Sequence, residues 1–234
     1  MKFTLFLGAT SLLFSFWAHA QGFDIREKRP AFEVGVTLTN VKTDDIPSVD
    51  SNDTLLKAFK YVRDLRFLKD PENPENLRRI PWLYVSNGCD TRAYQAAKLL
   101  AGIGIKSMKV FAFGNLQMKT NLEKLGRGEW EYHVANIVMV AGVPMVIDPS
   151  VNMFEPLPLT AWIGSMADPH NVKIAICDTN AYTRRNLCVG DLAMDPDVAS
   201  KDQDALLIEE RIRVIDLYQD PKKWLGDEPP WKTQ

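Results

Sequence analysis

Three side chains in this sequence have types and spacings that could carry out covalent chemistry. Cys89 opens the stretch NGCDTRAYQAAKLL, His133 lies inside the apolar run EYHVANIVMV, and Asp148 closes PMVIDPS fifteen positions later. A cysteine attacks carbonyl carbon only as its thiolate, so it needs a base to take its proton and a donor to protonate the leaving group. Imidazole does both near neutral pH, provided a partner fixes its second nitrogen and stabilises its charged form. A cysteine, a histidine and an aspartate are therefore a minimal set for nucleophilic attack on an amide or ester. The same residues make a poor metal site, because no C-x-x-C or H-x-x-x-H spacing accompanies them. His170, in ADPHNV, reads as an exposed loop histidine. No metal or organic cofactor is expected, since GIG and GRG are turn punctuation without a phosphate-binding context.

The elements around these residues decide whether they can meet. From Cys89 onward Ala93, Ala96, Ala97 and Leu100 recur at helical spacing, and Gly102 and Gly104 end the run. Ser86 and Asn87 are the cap candidates, which puts Cys89 in the first helical turn, where the helix dipole favours a thiolate. Its backbone N–H is then a natural donor to an oxyanion. Gly128 to Ser150 reads as two strands around Ala141-Gly142. Alternation places His133 with Ala135, Ile137 and Met139 on one face. With a loop of two or four residues, Val140 faces Val143 and Asp148 falls opposite Ala135, diagonal to His133 and on its face. A three-residue loop would separate them. Trp130 and Tyr132 flank the histidine and could line a cleft or pack inside the fold.

Elsewhere the pattern predicts a core-facing helix over TLLKAFKYVRDLRFL and a polar, proline-punctuated loop over KDPENPENLRRIP. IKSMKVFAFG and VKIAIC read as strands, with Asn121 to Gly128 a polar connection. LTAWIGSM reads as a short helix and QDALLIEERIRVIDLY as a long one. Such an order suggests an α+β domain with a mainly antiparallel sheet.

The first twenty residues combine Lys2, an apolar run from Phe3 to Trp17 and the ending Ala18-His19-Ala20. This is the pattern of a signal peptide cut after Ala20, and it predicts a secreted or periplasmic protein with no membrane span after cleavage. The expected organisation is a signal peptide (1–20), an N-terminal extension (21–44) and a catalytic domain (45–234). A formal net charge of −2 gives no reason to expect a nucleic-acid partner or an anionic membrane surface. In an oxidising compartment Cys177 and Cys188 form the close couple, which leaves Cys89 as the odd thiol.

Taken together, NGCDTRAYQAAKLL, KVFAFGNLQ, WEYHVANIVMV and VIDPS, in that order from roughly Asp45 to Trp162, resemble the bacterial protein-glutaminases, secreted protein-glutamine deamidases. The resemblance implies a papain/transglutaminase-like fold in which an antiparallel sheet packs against the helix bearing the nucleophile. It implies Cys89 as nucleophile, His133 as acid/base and Asp148 as orienting carboxylate. The implied partner is a protein or peptide bearing glutamine, whose side-chain amide is hydrolysed through a thioester. A transglutaminase or a cysteine peptidase would use the same three residues, and an exported binding module could keep the fold without the chemistry. Such relatives carry a long inhibitory pro-region where this chain has the short segment Gln21 to Thr43, a cover, an extra strand or a partner-binding tail.

Overall fold

A computed structural model describes residues 29–119, 127–189 and 196–233. The signal-peptide pattern and most of the Asn121 to Gly128 connection lie outside these residues. The chain begins with a short helix α1 (Ala31–Val34) and strand β1 (Val36–Thr37), followed by helix α2 (Asn52–Asp64) and strands β2 (Leu68–Lys69) and β3 (Leu77–Arg78). Helix α3 (Cys89–Gly102) precedes β4 (Met108–Lys119), β5 (Arg127–Val140), β6 (Val143–Ile147) and β7 (Leu157–Pro158). Then come α4 (Leu159–Gly164), β8 (Lys173–Cys177), α5 (Pro196–Asp216) and α6 (Pro221–Leu225).

Six strands form one antiparallel sheet in the order β1-β8-β4-β5-β6-β7. β5 is central, and its second half, Val134 to Val140, is buried on both faces, which is why that half is nearly continuously apolar instead of alternating with polar residues. Val138 and Val140 pack with Leu55, Phe59 and Val62 of α2 and Ala96 and Leu100 of α3. Ala135 and Ile137 pack on the opposite side with Trp162 and Ile163 of α4. Helices thus cover both faces of the strand that carries His133. The α+β class read from the sequence is the class observed, and the segment before residue 44 supplies the sheet's edge strand β1, paired with β8.

Local chemistry accounts for the main boundaries. Ser51 caps α2, its side chain accepting from Thr54 N. α3 ends at Gly102, and Gly104 turns away with a positive φ of 80°. Ala141 and Gly142 both have positive φ, 49° and 79°, so β5 and β6 are joined by the two-residue turn whose twist suits a hairpin. Val140 therefore pairs with Val143, as the shorter predicted loop requires.

One segment departs from its reading. KDPENPENLRRIP is not a plain loop: it turns β2 back along β3, with Leu68 opposite Arg78. The hairpin exists because Asp70 and Arg78 are buried and paired with each other, at 3.0 Å, and with α5. The α5 partner of Arg78, Glu210, is 132 residues away in the chain, so no local pattern announces it.

Candidate active site

Cys89 is the first residue of α3. The cap is Gly88, not Ser86 or Asn87: Gly88 has φ 78°, and the Asn87 side-chain oxygen accepts from its N–H at 2.7 Å. A side chain at Gly88 would be strained twice, by this backbone conformation and by the Leu206 side chain of α5, 2.4 Å from where a Cβ would stand. Arg92, one turn on, is buried and uses Nη1 to hold the carbonyls of Tyr84 (2.7 Å) and Asn87 (2.6 Å). It fixes the loop that presents the thiol. The sequence reading did not single Arg92 out; an arginine among small residues, three positions after the cysteine and pointing back along the helix, was the available signal.

His133 is 1% exposed and Asp148 5%. The Asn136–Ile147 pairing, continued by one position, sets Asp148 opposite Ala135, the register expected from the hairpin. His133 Nε2 lies 2.7 Å from Asp148 Oδ2. The same oxygen accepts from Trp162 Nε1 at 2.9 Å, and Oδ1 accepts from Ser150 N at 3.1 Å and Ser150 Oγ at 2.5 Å. Burial alone would raise the Asp148 pKa, but the His133 charge and these donors outweigh it and hold it at about 2. An ionised carboxylate can only accept, so Nε2 must carry the imidazole proton. Nδ1 is then a free lone pair, and it is buried without a partner. The ring is fixed between two indoles, stacked on Trp130 at 4.6 Å and tilted against Trp162 at 5.7 Å.

Trp130 reaches this position through an irregularity. Between the pairs Phe113–Tyr132 and Leu116–Trp130, Gly114 and Asn115 oppose the single residue Glu131. Such a bulge increases local twist, and residues 130 and 133, which plain alternation would put on opposite faces, stack. Trp130 Nε1 also donates to Ser86 O at 3.3 Å, tying the histidine's strand to the loop before Cys89.

α3 packs against β5, and the Val134 N–H, one residue beyond His133, favours the charged form of the Cys89 sulfur. Cys89 is the free cysteine, 8% exposed; Cys177 and Cys188 are joined by a disulfide. The helix terminus does not make a resting thiolate here. Burial pushes the thiol up to about 12, the neighbouring Asp90 charge adds to this, and Arg92 and the Val134 N–H oppose it without prevailing. His170 lies in a short 3-10 turn, exposed and outside this group. Among the described residues no cluster of three or more His, Cys, Asp or Glu could hold a metal ion.

A helix-borne cysteine beside the central strand of an antiparallel sheet, with helices on both faces, is the papain/transglutaminase-like α+β architecture. Within that class, residues 55–166 match the family model Gln_deamidase_2, described as glutaminase, and this stretch contains Cys89, His133 and Asp148. Solved structures with the same fold include protein-glutaminase (21% identity, TM-score 0.51, covering 70% of this chain and 88% of that one). The protein-glutaminase of Chryseobacterium proteolyticum matches at 22% identity and TM-score 0.51, over 71% of this chain and 89% of that one. Pro-protein-glutaminase matches at 21% and 0.52, over 81% and 64%. The chain spans less than two thirds of the length of the proenzyme chains it matches. At these identities the likeness is one of fold. None of the curated proteins matches the sequence.

Proposed function

We propose that this protein is an exported glutaminase that hydrolyses the side-chain amide of glutamine in proteins or peptides, with Cys89, His133 and Asp148 as its triad. The observation that carries the reading is the state of His133: Nε2 is committed to an ionised Asp148 at 2.7 Å, and buried Nδ1 is left as an unpartnered base. The match of residues 55–166 to a glutaminase family model supports the substrate class. The catalytic unit is residues 45–234, with 21–44 an extension and 1–20 the export signal. Among the described residues no helix is long and apolar enough to cross a membrane.

The chemistry follows from these groups. The Cys89 thiol is neutral at rest, so its proton moves to His133 Nδ1 as sulfur attacks the carboxamide carbon. A C–S bond forms and the carbonyl electrons move to oxygen. The Cys89 N–H, first in its helix and without an intrahelical acceptor, is placed to donate to that oxyanion. When the tetrahedral species collapses, the C–N bond breaks, His133 returns the proton to nitrogen, and ammonia leaves a thioester. His133 Nδ1 then takes a proton from water, whose oxygen adds to the thioester. The C–S bond breaks, sulfur regains its proton, and glutamate is released. Asp148 keeps the ring in one tautomer and stabilises its cationic form throughout.

Ammonia release from a glutamine-containing peptide, with mass analysis of the products, tests the reading. Wild type should release ammonia and convert glutamine to glutamate without cutting the chain, and Cys89→Ala should do neither. Crosslinked products would instead indicate a transglutaminase, and new chain termini a peptidase.

A further inference from the structure

Asp90 follows the nucleophile directly, and the mechanism above gives it no part. Its Oδ2 accepts from Tyr132 Oη at 2.6 Å. Its Oδ1 is buried and has no hydrogen-bond partner. The fully buried carboxylates among the described residues are not left this way. Asp148, Asp70 and Glu210 each have both oxygens bonded. A buried acceptor without a donor is costly, and one left beside a nucleophile is an acceptor awaiting a ligand.

A carboxamide has an oxygen that accepts and an NH2 that donates twice. If its oxygen meets the Cys89 N–H, the NH2 needs acceptors close to the thiol. Two unpartnered buried acceptors accompany Cys89: His133 Nδ1, which the proton transfer uses, and Asp90 Oδ1. Resting on the glutaminase reading, we infer that Asp90 Oδ1 accepts a hydrogen bond from the NH2 of the substrate's carboxamide and so selects glutamine over the glutamate it becomes. An amide satisfies the orphan oxygen. A carboxylate in the same place has no hydrogen to offer and meets a like charge, so the product is expelled.

The surroundings set the pH range of this selection. Asp90 faces Tyr132 and His133 from β5, Lys109 from β4, Tyr182 from the chain after β8, and Cys89 and Arg92 on its own helix. Burial raises its pKa to about 6, against the lowering effects of the Tyr132 hydrogen bond and of Lys109, His133 and Arg92. Below that pH Asp90 is protonated, can donate to a carboxylate, and loses its preference. Removing the Tyr132 hydroxyl takes away a bond that favours the charged form, and so moves the loss of preference to higher pH.

The test is binding of two peptides, identical except for glutamine or glutamate, to full-length Cys89→Ala protein by calorimetry. At about pH 7.5 the glutamine peptide should bind roughly tenfold tighter or better, and at about pH 5 the difference should shrink. Adding Asp90→Asn should abolish the preference at both pH values. Adding Tyr132→Phe, which keeps the carboxylate, should shift its pH dependence upward, an effect that a purely structural Asp90 would not produce. Equal affinities in Cys89→Ala at the higher pH, or a preference that survives Asp90→Asn, would overturn the inference. Ammonia release by the wild type separates the two proposals. Release without a binding preference sinks the role of Asp90 alone, and a preference without release sinks the deamidase reading.

Discussion

Two of the groups of buried charged side chains among the described residues are completed differently. Where the β2–β3 hairpin meets α5, Arg78 donates to Asp70 Oδ2 at 3.0 Å and to Glu210 Oε2 at 2.8 Å. Arg211 adds 2.6 Å to Asp70, and the Leu83 N–H donates to Glu210 Oε1 at 2.9 Å. Every carboxylate oxygen in that group has a donor. At the start of α3, the orienting half of the site is equally complete, with Asp148 saturated, but His133 Nδ1 and Asp90 Oδ1 are not paired. A completed network gives the fold specificity and leaves no group available for reaction. The second site leaves two buried acceptors without donors, at a cost in stability, and these are the groups that the proposed proton transfer and substrate contact need.

That contrast can be broken by substitution. The largest effect is expected from Cys89→Ala, which should reduce ammonia release by about a millionfold, the scale seen when a nucleophile is deleted. Unfolding free energy should change by less than about 1 kcal/mol. Asp148→Asn should lower kcat by about a hundredfold to ten thousandfold, because an amide no longer enforces the Nε2-protonated tautomer; steady-state kinetics on the purified variant measures this. The reverse pattern is expected from Glu210→Ala. It leaves the Arg78 guanidinium partly unpaired in the interior and should cost about 3–5 kcal/mol in urea unfolding, while the turnover of the folded fraction stays near wild type. If Glu210→Ala lost turnover without losing stability, the division between the two groups would be wrong.

Smaller effects sharpen the same comparison. The folded-state pKa of Asp148 is depressed to about 2 from its ordinary 3.8. Its contribution to stability is therefore complete above about pH 4 and lost as pH falls through 2, so Asp148→Asn should flatten acid unfolding in that window. For Cys89 the sign is opposite, because burial and the Asp90 charge hold the thiol up at about 12. Alkylation by iodoacetamide should keep rising with pH through neutrality without levelling near 7, and Asp90→Asn should accelerate it.

How much of this could be read in the sequence depended on distance along the chain. The hairpin register was legible because Ala141-Gly142 is a recognisable two-residue turn and alternation carries the parity to His133 and Asp148. The α3 start was legible to within one residue; the cap went to Gly88 because its backbone turns left-handed beneath Leu206, a contact with a helix more than a hundred residues away. Long-range pairing hid the rest. Nothing near KDPENPENLRRIP shows that Asp70 and Arg78 meet Glu210, and nothing near Trp130 shows that a bulge on β4 brings its ring onto His133. The charge state of Cys89 was misjudged for a related reason. The helix dipole is visible in the sequence, whereas the desolvation that overrides it belongs to the packed fold.

The central claim, attack by Cys89 through a thioester resolved by water, is tested most directly by adding hydroxylamine to the reaction with a glutamine peptide. Hydroxamate should replace part of the glutamate in wild type, and neither product should form with Cys89→Ala. Ammonia released without any hydroxamate, or a hydroxamate that persists in Cys89→Ala, would contradict it.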